Sequence, residues 1–126
     1  MPHLTLEYSS NLATVNTMQS LCVLLNKTLF DSGLFELGAI RVRAVSCEAY
    51  AIADGLPQNS ILDANLRIGA GRTPDEKQRV GEELFTALID FFHLQLAEPH
   101  FALSLEVREI DAKLSWKKNA IHPRLR

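Results

Sequence analysis

Four short segments of the chain alternate apolar and polar residues with period two. A longer segment of helical periodicity separates the first from the second and the third from the fourth. The first strand starts almost at once: Leu4, Leu6 and Tyr8 share one face, and His3, Thr5 and Glu7 share the other. The second covers residues 39–45, with Ile40, Val42 and Ala44 opposed to Arg41, Arg43 and Val45. The third places Leu62, Ala64, Leu66 and Ile68 on one face, and the fourth spans Phe101–Val107. Between the first pair, Val15, Met18, Leu21, Cys22, Leu25 and Leu29 recur at helical spacing; between the second, Val80, Leu84, Leu88, Phe91, Phe92 and Leu96 do so, ending before Pro99. The pattern predicts an α+β fold: two βαβ units forming a four-stranded mixed sheet with two helices on one face. A single domain, 1–126, then holds two pseudo-repeats of about 1–58 and 59–126. The sheet face without helices needs a cover, and a further copy of the chain is the simplest one.

Local signals sharpen the boundaries. Thr73-Pro74-Asp75-Glu76 predicts the second helix start, with Thr73 at the N-cap, Pro74 in the first turn and Glu76 closing a capping box. Asn16 with Gln19 is a capping pair for the first helix, and Gly33 is its stop. Asp54-Gly55, Pro57 and Asn59 mark a mid-chain loop. Gly69-Ala70-Gly71 precedes a helix, but the string fits neither a dinucleotide fingerprint nor a Walker loop. The basic tail from Lys113 through Trp116 to Lys118 is a candidate partner contact.

Composition excludes several classes. A net charge of −2 leaves no basic footprint for nucleic acid and no polybasic membrane patch. No apolar run approaches the ~20 residues of a membrane span, and the first residues do not read as a secretory signal. Cys22 and Cys47 are too few for a disulfide framework, and Cys22 lies on the apolar stripe; the reading is a reducing, cytoplasmic setting. His3, His93, His100 and His122 lack metal-ligand spacing.

Two features carry chemistry. Pro2 follows the initiator Met, so removal of Met1 would expose a prolyl amine at the head of a strand; equally, proline suits a strand's first position because its missing N–H is not needed there. Arg41 and Arg43 share one strand face, which reads either as a solvated edge or as a carboxylate-binding surface.

Together, MPHLTLEYSSNL, GAIRVR, ADG, LRIGAGR, LSLEVREI and NAIH, in that order, resemble the tautomerase superfamily over nearly the whole chain, most closely its 5-carboxymethyl-2-hydroxymuconate Δ-isomerase branch. The resemblance implies a homotrimer of six βαβ units and an amino-terminal proline acting as general base. In the small relative 4-oxalocrotonate tautomerase, each single βαβ unit carries the proline, a loop arginine and a strand arginine. Here the first half has Pro2 and Arg41 but Asn11-Leu12 at the loop-arginine position. The second half has Arg72, but Leu62 in place of the proline and Ser104 near the strand arginine. The pieces make one kind of site per chain, shared between halves or between subunits.

The implied reaction moves a proton between carbons of an unsaturated 2-hydroxy or 2-oxo acid bearing two or three carboxylates. Pro2 takes and returns the proton, Arg72 contacts the substrate or its oxyanion, and Arg41 holds a carboxylate, with Arg43 as its same-face alternate. Leu4 and Tyr8 are expected apolar neighbours of the amine, and Trp116 and Tyr50 candidate walls of the site. No metal or organic cofactor is called for, and the only ligand expected is a small carboxylate. The resemblance also implies a place in 4-hydroxyphenylacetate degradation, a form of aromatic compound catabolism. The alternatives are the same site acting on another enol or a halogenated acid, or a non-catalytic trimeric binding module.

Overall fold

The computed structural model describes residues 1–126. Its four strands are β1 (His3–Ser9), β2 (Arg41–Cys47), β3 (Ser60–Gly69) and β4 (Phe101–Ile110), in the spatial order β2-β1-β3-β4. β1 pairs parallel with β2, β3 pairs parallel with β4, and β1 and β3 run antiparallel at the centre. Two long helices, α1 (Val15–Asp31) and α2 (Pro74–Phe91), pack side by side against the sheet. Short helices α3 (His93–Leu96) and α4 (His122–Leu125) flank β4 and end the chain. No helix is long and apolar enough to cross a membrane.

The core follows from the two periodicities. Leu4, Leu6 and Tyr8 of β1 and Leu62, Ala64, Leu66 and Ile68 of β3 turn towards the helices. Met18, Leu21, Leu25 and Leu29 of α1, with Val80, Leu84 and Leu88 of α2, close over them. Strand β3 alternates without exception between buried and partly exposed positions up to Leu66, as the reading required. The opposite sheet face is polar: Ser104 donates to Asp63 (2.7 Å), Arg108 pairs with Glu106 (2.7 Å), and Arg43 lies 3.4 Å from His3. No element of the chain covers that face.

The second helix start is as the sequence indicates. Thr73 Oγ1 accepts from the Glu76 N–H (3.1 Å), and the Glu76 carboxylate accepts from the Thr73 N–H (2.9 Å). Thr73→Ala removes one half of this box. It will cost about 1 kcal/mol, measured as a lower thermal midpoint by calorimetry.

Four details differ from the reading. The cap of α1 is Thr14, whose hydroxyl accepts from the Thr17 N–H at 3.2 Å; Asn16 already lies inside the helix. Val15, in the first turn of α1, is exposed despite fitting the apolar repeat. Helix α2 breaks at Phe92, which is fully buried with its ring centroid 5.0 Å from Phe91 and 5.3 Å from Phe101; the short α3 follows. β4 continues to Ile110 because backbone pairing with β3 persists to Gly69 after the apolar alternation has ended.

The tail, expected to seek a partner, folds back at its end on its own chain. Asn119 donates through Nδ2 to the Gly38 carbonyl (2.8 Å), and its Oδ1 accepts from the N–H groups of Ile121 (2.9 Å) and His122 (3.2 Å). Arg126 then pairs with Glu36 at 2.8 Å. The close approach favours glycine at 38, since a Cβ there would sit 3.0 Å from the His122 Cα and push that turn back.

Candidate active site

The topology brings four segments to one end of the sheet. β1 starts there, and the parallel register sets Arg41, the start of β2, beside His3. The antiparallel register sets Arg67, near the end of β3, on the other side of His3. β4 ends beside Gly69, so the tail leaves from the same end. The chain's amino end, the turn before β2, the loop after β3 and the tail therefore converge.

Pro2 is buried at this point, and its carbonyl accepts from the Arg41 N–H at 3.1 Å, which extends the ladder to the second residue. That bond answers how so early a residue is held: its backbone is tied into the sheet. Pro2 lines a pocket of about 400 Å³ together with Leu34, Phe35, Ala39 and Arg72. The guanidinium of Arg72 stacks over the Phe35 ring at 4.5 Å and donates to the carbonyls of Leu34 (2.9 Å) and Gly69 (3.2 Å). Its Nε is buried and has no partner within the chain. Held in this way, the fork keeps N–H capacity for an oxygen brought in from outside.

Arg41 is planted on the turn before β2, donating to the carbonyls of Ala39 (2.7 Å) and Gly38 (3.3 Å). It lines an adjoining pocket of about 560 Å³ with His3, Arg67 and Trp116. The two pockets meet at Met1 and Lys117, which line both.

The electrostatics are one-sided. Arg41, Arg72 and Lys117 take part in none of the chain's ion pairs. Glu36, the one carboxylate in the Pro2 pocket, is engaged by Arg126 and, at 3.4 Å, by His122; the hydrogen bond from Arg126 holds its carboxyl below the usual range. The amine at Met1 is pushed below its ordinary pKa, first by burial and then by Lys117, Arg72 and Arg41. His3 is lowered too, by burial and by Arg67, Arg43 and Arg41. The chemistry available is binding of an anion with several carboxylates beside a weakened amine. The chain gathers no group of three or more His, Cys, Asp or Glu side chains suited to a metal. The largest hollow, about 810 Å³ between α2 and β4, lies elsewhere and holds no arginine.

The expected site residues separate accordingly. Pro2 and Arg72 share one pocket, so the two halves of a single chain bring them together; Arg41 and Trp116 line its neighbour. Arg43 is two residues further along β2, exposed and turned to His3. Tyr50 needs correcting as a wall of this pocket. The register runs from His3 beside Arg41 to Ser9 beside Cys47, and Tyr50 lies beyond that. It lines neither this pocket nor the adjoining one of Arg41 within the chain. Leu4 and Tyr8 likewise belong to the core under the helices, and the amine's apolar neighbours are Leu34, Phe35 and Ala39. Reading by periodicity overlooked Phe35, Lys117, Asn119 and His122; the tail's cluster of positive charge was the one available signal for Lys117.

A family model described as 5-carboxymethyl-2-hydroxymuconate isomerase matches residues 2–125. A 5-carboxymethyl-2-hydroxymuconate Delta-isomerase of Escherichia coli is 33% identical over 122 residues, 97% of either chain. The crystal structure of a 5-carboxymethyl-2-hydroxymuconate isomerase from Deinococcus radiodurans R1 superimposes with a TM-score of 0.91 at 39% identity, covering 99% of this chain and 94% of that one. A fused 4-OT wild type symmetric trimer shares the fold alone, with a TM-score of 0.71 at 10% identity over 92% of this chain and 93% of the other.

Proposed function

Since the chain belongs to the 5-carboxymethyl-2-hydroxymuconate isomerase family, and is thus an isomerase of the tautomerase kind, we propose that it works through Pro2 as general base and acid. Its substrate is an unsaturated 2-hydroxy or 2-oxo acid with two or three carboxylates, of the 5-carboxymethyl-2-hydroxymuconate type. Removal of Met1 frees the Pro2 nitrogen as a secondary amine. That amine takes the 2-hydroxyl proton of the dienol and returns it to C5 at the far end of the diene, as the C2–O bond becomes a carbonyl and the remaining double bond shifts to C3–C4, giving the conjugated ketone. Arg72 stabilises the charge that develops on the 2-oxygen, and Arg41 holds a carboxylate.

The observation that carries this reading is the position of Pro2. It is buried beside Phe35 and the Arg72 fork, with Arg41 and Lys117 near the amino end and no carboxylate paired to any of the three cations. A prolyl amine is ordinarily too basic to be free at neutral pH; burial and like charge are the two influences that weaken it. A base near the working pH can both accept and return a proton.

The test is ultraviolet kinetics on 2-hydroxymuconate-type dienols, with intact mass showing whether Met1 is present. Loss of Met1 and rapid turnover are the expected results; an inactive protein whose mass lacks Met1 overturns the reading. The pH profile is a second check. The neutral amine is the active form, so kcat/KM falls about tenfold per pH unit once the amine protonates. The Met1 amine is depressed by burial and by Lys117, Arg72 and Arg41; with the Pro2 amine weakened by the same surroundings, that fall begins below the pH at which an ordinary prolyl amine titrates.

We also infer a homotrimer. What supports it is the polar sheet face that the chain leaves uncovered, together with the trimeric assembly named for the fused 4-OT protein of the same fold. Analytical ultracentrifugation should return three times the mass of one chain.

A further inference from the structure

Two arginines are enough for one end of the substrate class proposed above: one for the developing oxyanion and one for the adjacent carboxylate. At the other end a tricarboxylate adds a further carboxylate on a rotatable arm, which has to be placed as well, and the cations around the pockets are not equivalent candidates. Arg126 is engaged with Glu36 at 2.8 Å. Of the two adjoining pockets, Arg67 and Lys118 line that of Arg41 and not that of Pro2. Lys117 lines both pockets at their junction beside Met1 and makes no ion pair or side-chain hydrogen bond within the chain.

We propose that Lys117 is a specificity residue: its ammonium binds the carboxylate of the carboxymethyl arm, the one a dicarboxylate dienol lacks, so that tricarboxylate dienols are favoured over dicarboxylate ones. The inference rests on the function proposed above and narrows it to a substrate class.

The tail is built to hold this position. Two residues beyond Lys117, Asn119 fastens to the Gly38 carbonyl at 2.8 Å and accepts from two N–H groups of the following turn. Gly38 lets that turn come close, and its carbonyl also receives Arg41 at 3.3 Å. The tail is thus anchored on one of the two carbonyls that hold Arg41, the other being that of Ala39. The side-chain chemistries are suited to different tasks. Arg72 and Arg41, fixed on carbonyls, offer planar forks to the reacting end, whereas a lysine offers a compact charge on a flexible stem, suited to a carboxylate on a rotatable arm.

The test compares 5-carboxymethyl-2-hydroxymuconate, with three carboxylates, and 2-hydroxymuconate, with two. Lys117→Gln and Lys117→Arg are assayed against wild type at a pH where the amine is neutral. Lys117 is exposed, so neither change disturbs the core. In Lys117→Gln, KM for the tricarboxylate should rise about tenfold or more, the scale of one lost charge-assisted contact. The ratio of kcat/KM for the tricarboxylate to that for the dicarboxylate should fall about tenfold, over and above any change common to both substrates from the lost charge beside the amine. Lys117→Arg should recover most of the tricarboxylate KM. An equal loss on both substrates, or no loss on either, overturns the specificity role while wild-type turnover keeps the parent function standing. Wild type inert towards both dienols overturns the function and this inference together.

Discussion

Keeping Met1 in place will all but abolish turnover. Pro2→Leu does this, because a bulky second residue blocks removal of the initiator. The group at position 2 is then an amide nitrogen with no basic lone pair, and the only amine lies one residue further out, beside Lys117. Loss of a general base typically costs about 100- to 10,000-fold, and kcat/KM for the dienol should fall within that range. Pro2→Ala is the informative companion. It still permits Met1 removal, and so leaves a primary amine in the same pocket. Its activity should lie between wild type and Pro2→Leu. The hydrogen bond from the Arg41 N–H is made to the carbonyl of residue 2, so either variant can keep the start of the ladder. Circular dichroism should confirm that both fold. If Pro2 serves only as the first residue of a strand, neither substitution will alter turnover, and the mechanism is wrong.

Arg72→Ala is expected to have the next largest effect, and it combines two losses that can be separated. On the chemical side, removing a donor aimed at a developing oxyanion costs about 100- to 1,000-fold in kcat. On the structural side, the same guanidinium ties Leu34 of the first half to Gly69 of the second and stacks on Phe35. Losing those hydrogen bonds should lower stability by about 1–3 kcal/mol. Arg72→Lys keeps a positive charge but not the fork. It should restore part of kcat, while the bonds to both carbonyls cannot be reproduced together with the stack. Steady-state kinetics and thermal melts on the two variants distinguish these contributions. A large fall in melting temperature with kcat unchanged in the folded fraction would make Arg72 a structural residue only.

The parts of the molecule visible in the sequence were those governed by local rules. Thr73 and Glu76 announced a helix start because both partners of the box lie within one turn; Arg72 beside them was singled out by the family resemblance alone. β3 was legible because a buried central strand keeps strict alternation. Asn16 misled because several hydroxyl or amide side chains cluster before α1, and only the phase of the helix selects Thr14. Tyr50 misled for a different reason. Which end of the sheet it follows is set by the β1–β2 register, a relation between residues some forty positions apart. The tail had no periodicity to read, so neither the Asn119–Gly38 contact nor the place of Lys117 could be inferred from residues 113–126.

Because the central strands run antiparallel, both chain ends lie beside the same pocket: Met1 at its mouth and Arg126 on its wall. For anyone handling the protein this is a constraint on labelling. An affinity tag or reporter fused to either terminus is delivered to the mouth of the pocket proposed to take substrate, and joining the termini to permute the chain would close that mouth. The exposed loop around Ala53–Pro57, at the other end of β2 and β3, is the free handle. It already turns through positive φ at Ala53 and Gly55 and can take an insertion without touching the site.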